Sequence, residues 1–222
     1  MEAGVLSGWT KVGTRSNHFD KSAWGFGVSG YAATEFYDYT ALEERVKKKT
    51  LGQFDGTLAT FFITKVNLEG SGTYFADTSK IAEYALPTFK ESLQAREIAN
   101  VRPIDPSEPL PSIEGADSYE YTGRYALSGI QKEVTINGVG TRTLALPSKE
   151  IQVTGLVIIW KEGKGTAFVA GGAFPAENYA VEDTISATGG ETGDGIDISV
   201  SVDLNIRPDQ VRRRVISLIK SV

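Results

Sequence analysis

The sequence predicts one α+β domain over residues 1–222: a curved antiparallel sheet of about six to eight strands covered by about three helices. Two observations predict it. Several segments alternate in polarity with period two, most cleanly at Ile196, Ile198, Val200, Val202 and Leu204, which are separated by Asp197, Ser199, Ser201 and Asp203. Three other stretches return an apolar residue every third or fourth position, as helices with one buried face do. A chain of 222 residues also hides roughly 70–75% of its unfolded surface, enough for a core without covalent staples.

From Trp9 to about Tyr39 the chain is rich in aromatic and β-branched residues, and Trp24, Phe26 and Val28 alternate with glycine or serine as one packed strand face would. Thr40 followed by Glu43 has the spacing of a capping box, in which each side chain satisfies a free N–H at the helix start. Leu42 and Val46 give that helix its buried side, and Gly52 suits a left-handed stop. Residues 58–68 read as an apolar strand. A second helix is expected from Asp77 or Thr78, with Ile81, Ala85, Phe89 and Leu93 as its stripe, and with a kink or break at Pro87. Four prolines within 101–117 make a stiff extended crossing, taken as a connection inside the domain.

The second half reads as a meander. Tyr119, Tyr121, Tyr125 and Leu127 fall on one face of a strand, as a ladder under a helix. Asn137-Gly138 marks a two-residue hairpin turn. Residues 151–160 become apolar on both faces, as in a central strand. Pro208 opens the last helix, whose stripe is Val211, Val215, Leu218 and Ile219; Arg212, Arg213 and Arg214 are then expected to point sideways and outward.

Composition excludes several classes. No cysteine rules out disulfide scaffolds, thiol catalysis and cysteine metal sites. No apolar run reaches the roughly 18 residues of a membrane helix. The start lacks a signal peptide, so a cytoplasmic address is expected, and a net charge of −5 offers no surplus for nucleic acid or anionic lipid. One methionine and few asparagines and glutamines fit a thermophile.

Motifs for chemistry are sparse. Gly25-Phe-Gly27-Val-Ser-Gly30 has a GxGxxG spacing, but polar residues precede it and no helix follows until Thr40, so it reads as a glycine-relieved strand. His18, the single histidine, reads as a solvated ring in a polar turn. No nucleophile elbow or phosphate loop is present, so no catalytic residue and no cofactor are predicted. Residues 165–206 hold no Lys or Arg, and Glu191, Asp194 and Asp197 lie in or beside a glycine-rich loop; they are the candidate ligands for a hard divalent cation, against the plainer reading of a solvated hairpin loop. At Val169-Ala-Gly171-Gly172-Ala-Phe-Pro175-Ala-Glu177-Asn178, two glycines at a strand end would let a backbone or ligand approach closely, with Glu177 and Asn178 as polar groups beside it.

That segment, with Gly8-Trp9-Thr-Lys-Val12, Tyr37–Val46 and Leu58–Ile63, resembles a family of uncharacterised archaeal proteins found in halophiles and related euryarchaea. The resemblance implies a cytoplasmic archaeal protein with no assigned activity. The order of elements is similar to that of the Mog1/PsbP-type α/β/α sandwich, a class that mainly docks partners. The expected function is a non-catalytic module binding a protein partner or itself. The alternative is a small-molecule or divalent-cation binding protein, or a carboxylate-dependent hydrolase, with its site near residues 171–197.

Overall fold

Alternation in the sequence becomes paired strand in the computed structural model, which describes residues 4–21, 28–54, 56–70, 77–106, 113–136, 140–188 and 195–222. In chain order the elements are Thr10–Lys21 (β1), Val28–Asp38 (β2), Thr40–Lys49 (α1), Thr60–Glu69 (β3), Thr78–Ala95 (α2), Ala99–Ile104 (β4) and Asp117–Leu127 (β5). Then follow Ile130–Ile136 (β6), Gly140–Leu146 (β7), Lys149–Glu162 (β8), Thr166–Pro175 (β9), Ala180–Thr188 (β10), Gly195–Asp203 (β11) and Pro208–Lys220 (α3). Seven strands form one antiparallel sheet in the order β1-β2-β3-β9-β8-β5-β4, and β6–β7 and β10–β11 each form a two-stranded sheet.

β8 and β9 hold the centre because they lack a polar face. On β8, Val153, Val157 and Ile159 pack in the cluster beneath α2, with Ile81, Phe89 and Leu93. Leu156, Ile158 and Trp160 pack in the opposite cluster, with Leu42 and Val46 of α1 and Val211, Val215 and Leu218 of α3. The molecule therefore has three layers, helix on sheet on helix, and each fully buried Leu, Ile or Phe side chain contributes about 1.5–3 kcal/mol. Gly155 lets α2 settle onto the sheet, since a Cβ there would stand 3.0 Å from Phe89 and 3.1 Å from Leu93. Among the described residues no helix is long and apolar enough to cross a membrane.

The local signals hold in part. Asp77 caps α2 by accepting from Lys80 N at 2.9 Å, Gly52 follows α1 at φ +83°, and Pro208 stands in the first turn of α3. The capping box does not form. Tyr39 is the residue before α1 and makes no side-chain cap, while Thr40 is already helical and its hydroxyl donates to Gly8 O at 3.2 Å. α2 runs unbroken through Pro87, held by the stripe it buries. His18 is not in a turn but in β1, its ring edge-on to Tyr31 at 4.8 Å.

Nor is the second half a simple meander. β5 pairs with β8, from Asp117↔Ile159 to Leu127↔Lys149, and the β6–β7 hairpin is an excursion between them. Its Asn137-Gly138 turn lies outside the described residues, as do Trp24 and Phe26. Tyr121 does sit under a helix, with its ring 5.8 Å from Phe89, but Leu127 packs with Ile151 in the opposite cluster, as strand twist carries the end of β5 around.

Candidate functional site

Strands that end together bring a few polar side chains to one end of the sheet. β2 ends at Asp38, β9 at Pro175, α2 at Ala95 and β5 at Leu127, while β3 and β8 begin there. A cavity of about 30 Å³ at this end is lined by Thr57, Thr60, Arg96, Tyr125, Ala173 and Pro175, among others. That volume holds a water or two and no organic substrate. Beside it, α1 and the loop after it frame an open cleft of about 320 Å³ lined by Thr40, Glu43, Glu44 and Lys47, in which Phe54 is the single large apolar side chain. Thr57 borders both, and its hydroxyl donates to Asp38 Oδ2 at 3.4 Å.

Asp38 is the perturbed group. Burial raises its pKa above the usual carboxylate value, and the charge of Arg96 and the Thr57 hydroxyl counter this in part. Its other oxygen, Oδ1, is buried and has no hydrogen-bond partner among the described residues. Burial also raises the Tyr125 phenol, and the charge of Glu97 adds to the effect. Apart from Tyr125, which the sequence reads as part of a tyrosine ladder, none of these groups stands out, because they come from four separate segments.

The residues that the sequence does single out are used structurally. Gly171 and Gly172 are buried within β9, paired to Phe62 and Phe61 on one side and to Val157 and Leu156 on the other. A Cβ would collide with Leu156 O at Gly171 and with Thr60 O at Gly172, so the close approach is that of neighbouring backbone. Glu177 accepts from Gln152 N at 2.6 Å, tying the turn after β9 to β8. Asn178 donates to Asp203 Oδ1 at 2.7 Å and accepts from Ile206 N at 2.9 Å, clasping the end of β11 to the lead into α3. The Asn178 amide and the Asn205 N–H together hold the Asp203 carboxyl below its ordinary pKa. Glu191 and Asp194 lie outside the described residues; Asp197 sits in β11 opposite Ser186. Among the described residues no group of three or more metal-ligating side chains gathers.

One buried pair escaped the sequence. Arg212 is 7% exposed, not solvated like its neighbours, and forks onto Glu120 of β5 with Nη1–Oε1 at 3.2 Å and Nη2–Oε2 at 3.0 Å. The signal was available: Arg212 flanks the α3 stripe, and Glu120 lies on the face of β5 opposite its tyrosines.

The sheet margins differ. β4 is six residues long and carries Pro103, features that blunt an edge. β1 is twelve residues long and contains no proline; after an irregularity between Lys11 and Gly13 it pairs with β2 in unbroken register to Lys21↔Val28. Among the described residues nothing pairs with its outer side. A scan against models of known protein families finds no match, and neither curated proteins nor solved structures match this chain.

Proposed function

We propose that this chain is a non-catalytic protein-interaction module whose partner adds a strand to the outer edge of β1. The long margin of β1, unpaired among the described residues, carries the reading, because successive residues of such an edge leave backbone donors and acceptors open to another extended segment. Lys11, Arg15 and Asp20 along it supply charges that select among partners at little stability cost. Glu177 and Asn178 fit the same reading, since they hold neighbouring backbone and Asp203.

The test is a displayed library of short extended peptides, followed by backbone hydrogen exchange of the full chain with the selected peptide. Binding should protect alternate amides between Gly13 and Asp20. Successive N–H groups point to opposite sides of a strand, so of Ser16→Pro and Asn17→Pro one variant should stay folded and lose the peptide. Selected peptides that leave β1 amides unprotected, or that bind the folded variant unchanged, refute the proposal. A parallel thermal-shift screen with divalent cations and common metabolites covers the small-molecule alternative, and a saturable shift would favour it.

A further inference from the structure

We infer, on the footing that β1 accepts a partner strand, that this strand runs antiparallel to β1 and carries two anchors three residues apart. The first is an aromatic side chain over His18 and Tyr31; the second, towards the partner's C-terminus, is a single carboxylate beside Arg15. Side chains alternate along a strand, so beyond the irregularity at Lys11/Gly13 the residues Gly13, Arg15, Asn17 and Phe19 share one face of β1, and Thr14, Ser16, His18 and Asp20 share the other. Phe19 packs against the cluster beneath α2, which puts Arg15 on the α2 side of the sheet and His18 on the opposite side.

The two faces ask for different chemistry. Beside the exposed Arg15, Gly13 and Asn17 flank it along β1, Thr34 lies opposite, and the Thr34 hydroxyl is taken up with Thr64 at 2.8 Å. Lys11, by contrast, already holds Glu35 at 2.6 Å. A guanidinium among uncharged neighbours, at the margin where the next strand would lie, is complementary to a carboxylate. On the other face His18 sets its ring edge-on to Tyr31 at 4.8 Å, and Tyr31 remains 54% exposed, so an incoming aromatic ring has two rings to cover. Asp20 stands on this same face and repels an acid placed there. The chain's net charge of −5 also disfavours a polyacidic segment, which leaves one carboxylate, on the Arg15 side, as the match. Orientation follows from the sheet: its pairs are antiparallel, and such pairs are slightly more stable per residue than parallel ones. Residues directly opposite in an antiparallel pair share a face, so the partners of His18 and Arg15 come in that order, aromatic first.

The experiment uses labelled synthetic peptides of about ten residues, a usual strand length, in a threonine-rich extended background. One carries Phe-x-x-Glu, one Phe-x-x-Lys, one Ser-x-x-Glu and one the reversed Glu-x-x-Phe. Fluorescence anisotropy against the full chain gives the affinities, and hydrogen exchange of the β1 amides locates the contact. Phe-x-x-Glu should bind about fivefold tighter than either Phe-x-x-Lys or Ser-x-x-Glu, the upper range of cross-strand pair preferences. Arg15→Glu should reverse the preference for Glu over Lys and keep that for Phe over Ser. Tyr31→Thr should abolish the preference for Phe and keep that for Glu; both positions are exposed, and circular dichroism checks that both variants fold. Peptides that protect β1 amides but ignore both exchanges overturn this inference and leave the β1 edge as the docking site. Binding that leaves β1 unprotected overturns both. A tighter grip on Glu-x-x-Phe overturns the orientation and the inference with it. No binding by any of the four also overturns it, while the displayed library tests the edge by itself.

Discussion

Replacing Arg212 with methionine tests the internal logic of the fold most sharply. The guanidinium and the Glu120 carboxylate lie between α3 and β5 with side-chain exposures of 9% and 1%, joined by two bonds in parallel. Removing the cation leaves a carboxylate in a site that water reaches poorly. Breaking a pair in this setting costs about 3–5 kcal/mol, because the surviving charge loses its partner without regaining hydration. Set against a usual total of about 5–15 kcal/mol, that is a large part of the stability. Urea unfolding followed by circular dichroism, with the slope checked for constancy, measures it directly. Arg213→Met, an exposed change one residue away, should stay within about 0.5 kcal/mol. The double variant Glu120→Leu/Arg212→Met should recover most of the loss, since a well-packed apolar pair needs no compensation. A cost below about 1 kcal/mol for Arg212→Met, the value of an exposed pair, would refute the burial argument.

Three further outcomes follow from the geometry. Gly172→Ala drives a methyl against Thr60 O in the middle of the sheet and should cost about 3 kcal/mol in the same urea assay, whereas Gly163→Ala, at an open turn, should cost less. Asp38→Asn removes a carboxyl whose folded pKa is raised; that group favours folding at acid pH and disfavours it once pH passes the folded pKa, so the variant should melt higher than wild type at neutral pH and lose the advantage near pH 3, as calorimetry would show. Tyr37 donates to Glu35 Oε2 at 2.6 Å, and burial and that carboxylate push its phenol up to about 12; carbon NMR of the tyrosine rings should find it titrating there, and Glu35→Gln should bring it down.

Where partners are close in sequence, the fold was legible. Asp77 caps the turn that begins beside it, Gly52 ends the helix just before it, and the alternation at 196–204 is β11 itself. Legibility fails where a residue's meaning depends on a distant segment. Arg212 reads as part of a solvated basic run until Glu120 arrives from a strand 92 residues away. Gly171 and Gly172 suggest a ligand's approach until the strands on both sides fill the space. The sheet-end group is opaque for the same reason: Asp38, Thr57, Arg96 and Tyr125 carry no motif among them, and the chain's topology alone makes them neighbours.

The strand order has a consequence for how the molecule comes to be made. β1, β2 and β3 can pair as soon as they leave the ribosome, but the other margin of β3 waits for β9, about a hundred residues downstream. At roughly 5–20 residues per second, that leaves Phe61, Phe62 and Ile63 beside an unsatisfied ladder for about 5–20 s. Until β9 arrives, the nascent three-stranded piece offers a hydrophobic template to any neighbouring chain. Crowded synthesis should therefore select for chaperone capture of this intermediate, and refolding from denaturant should lose yield steeply as concentration rises, well before the finished protein shows any tendency to aggregate.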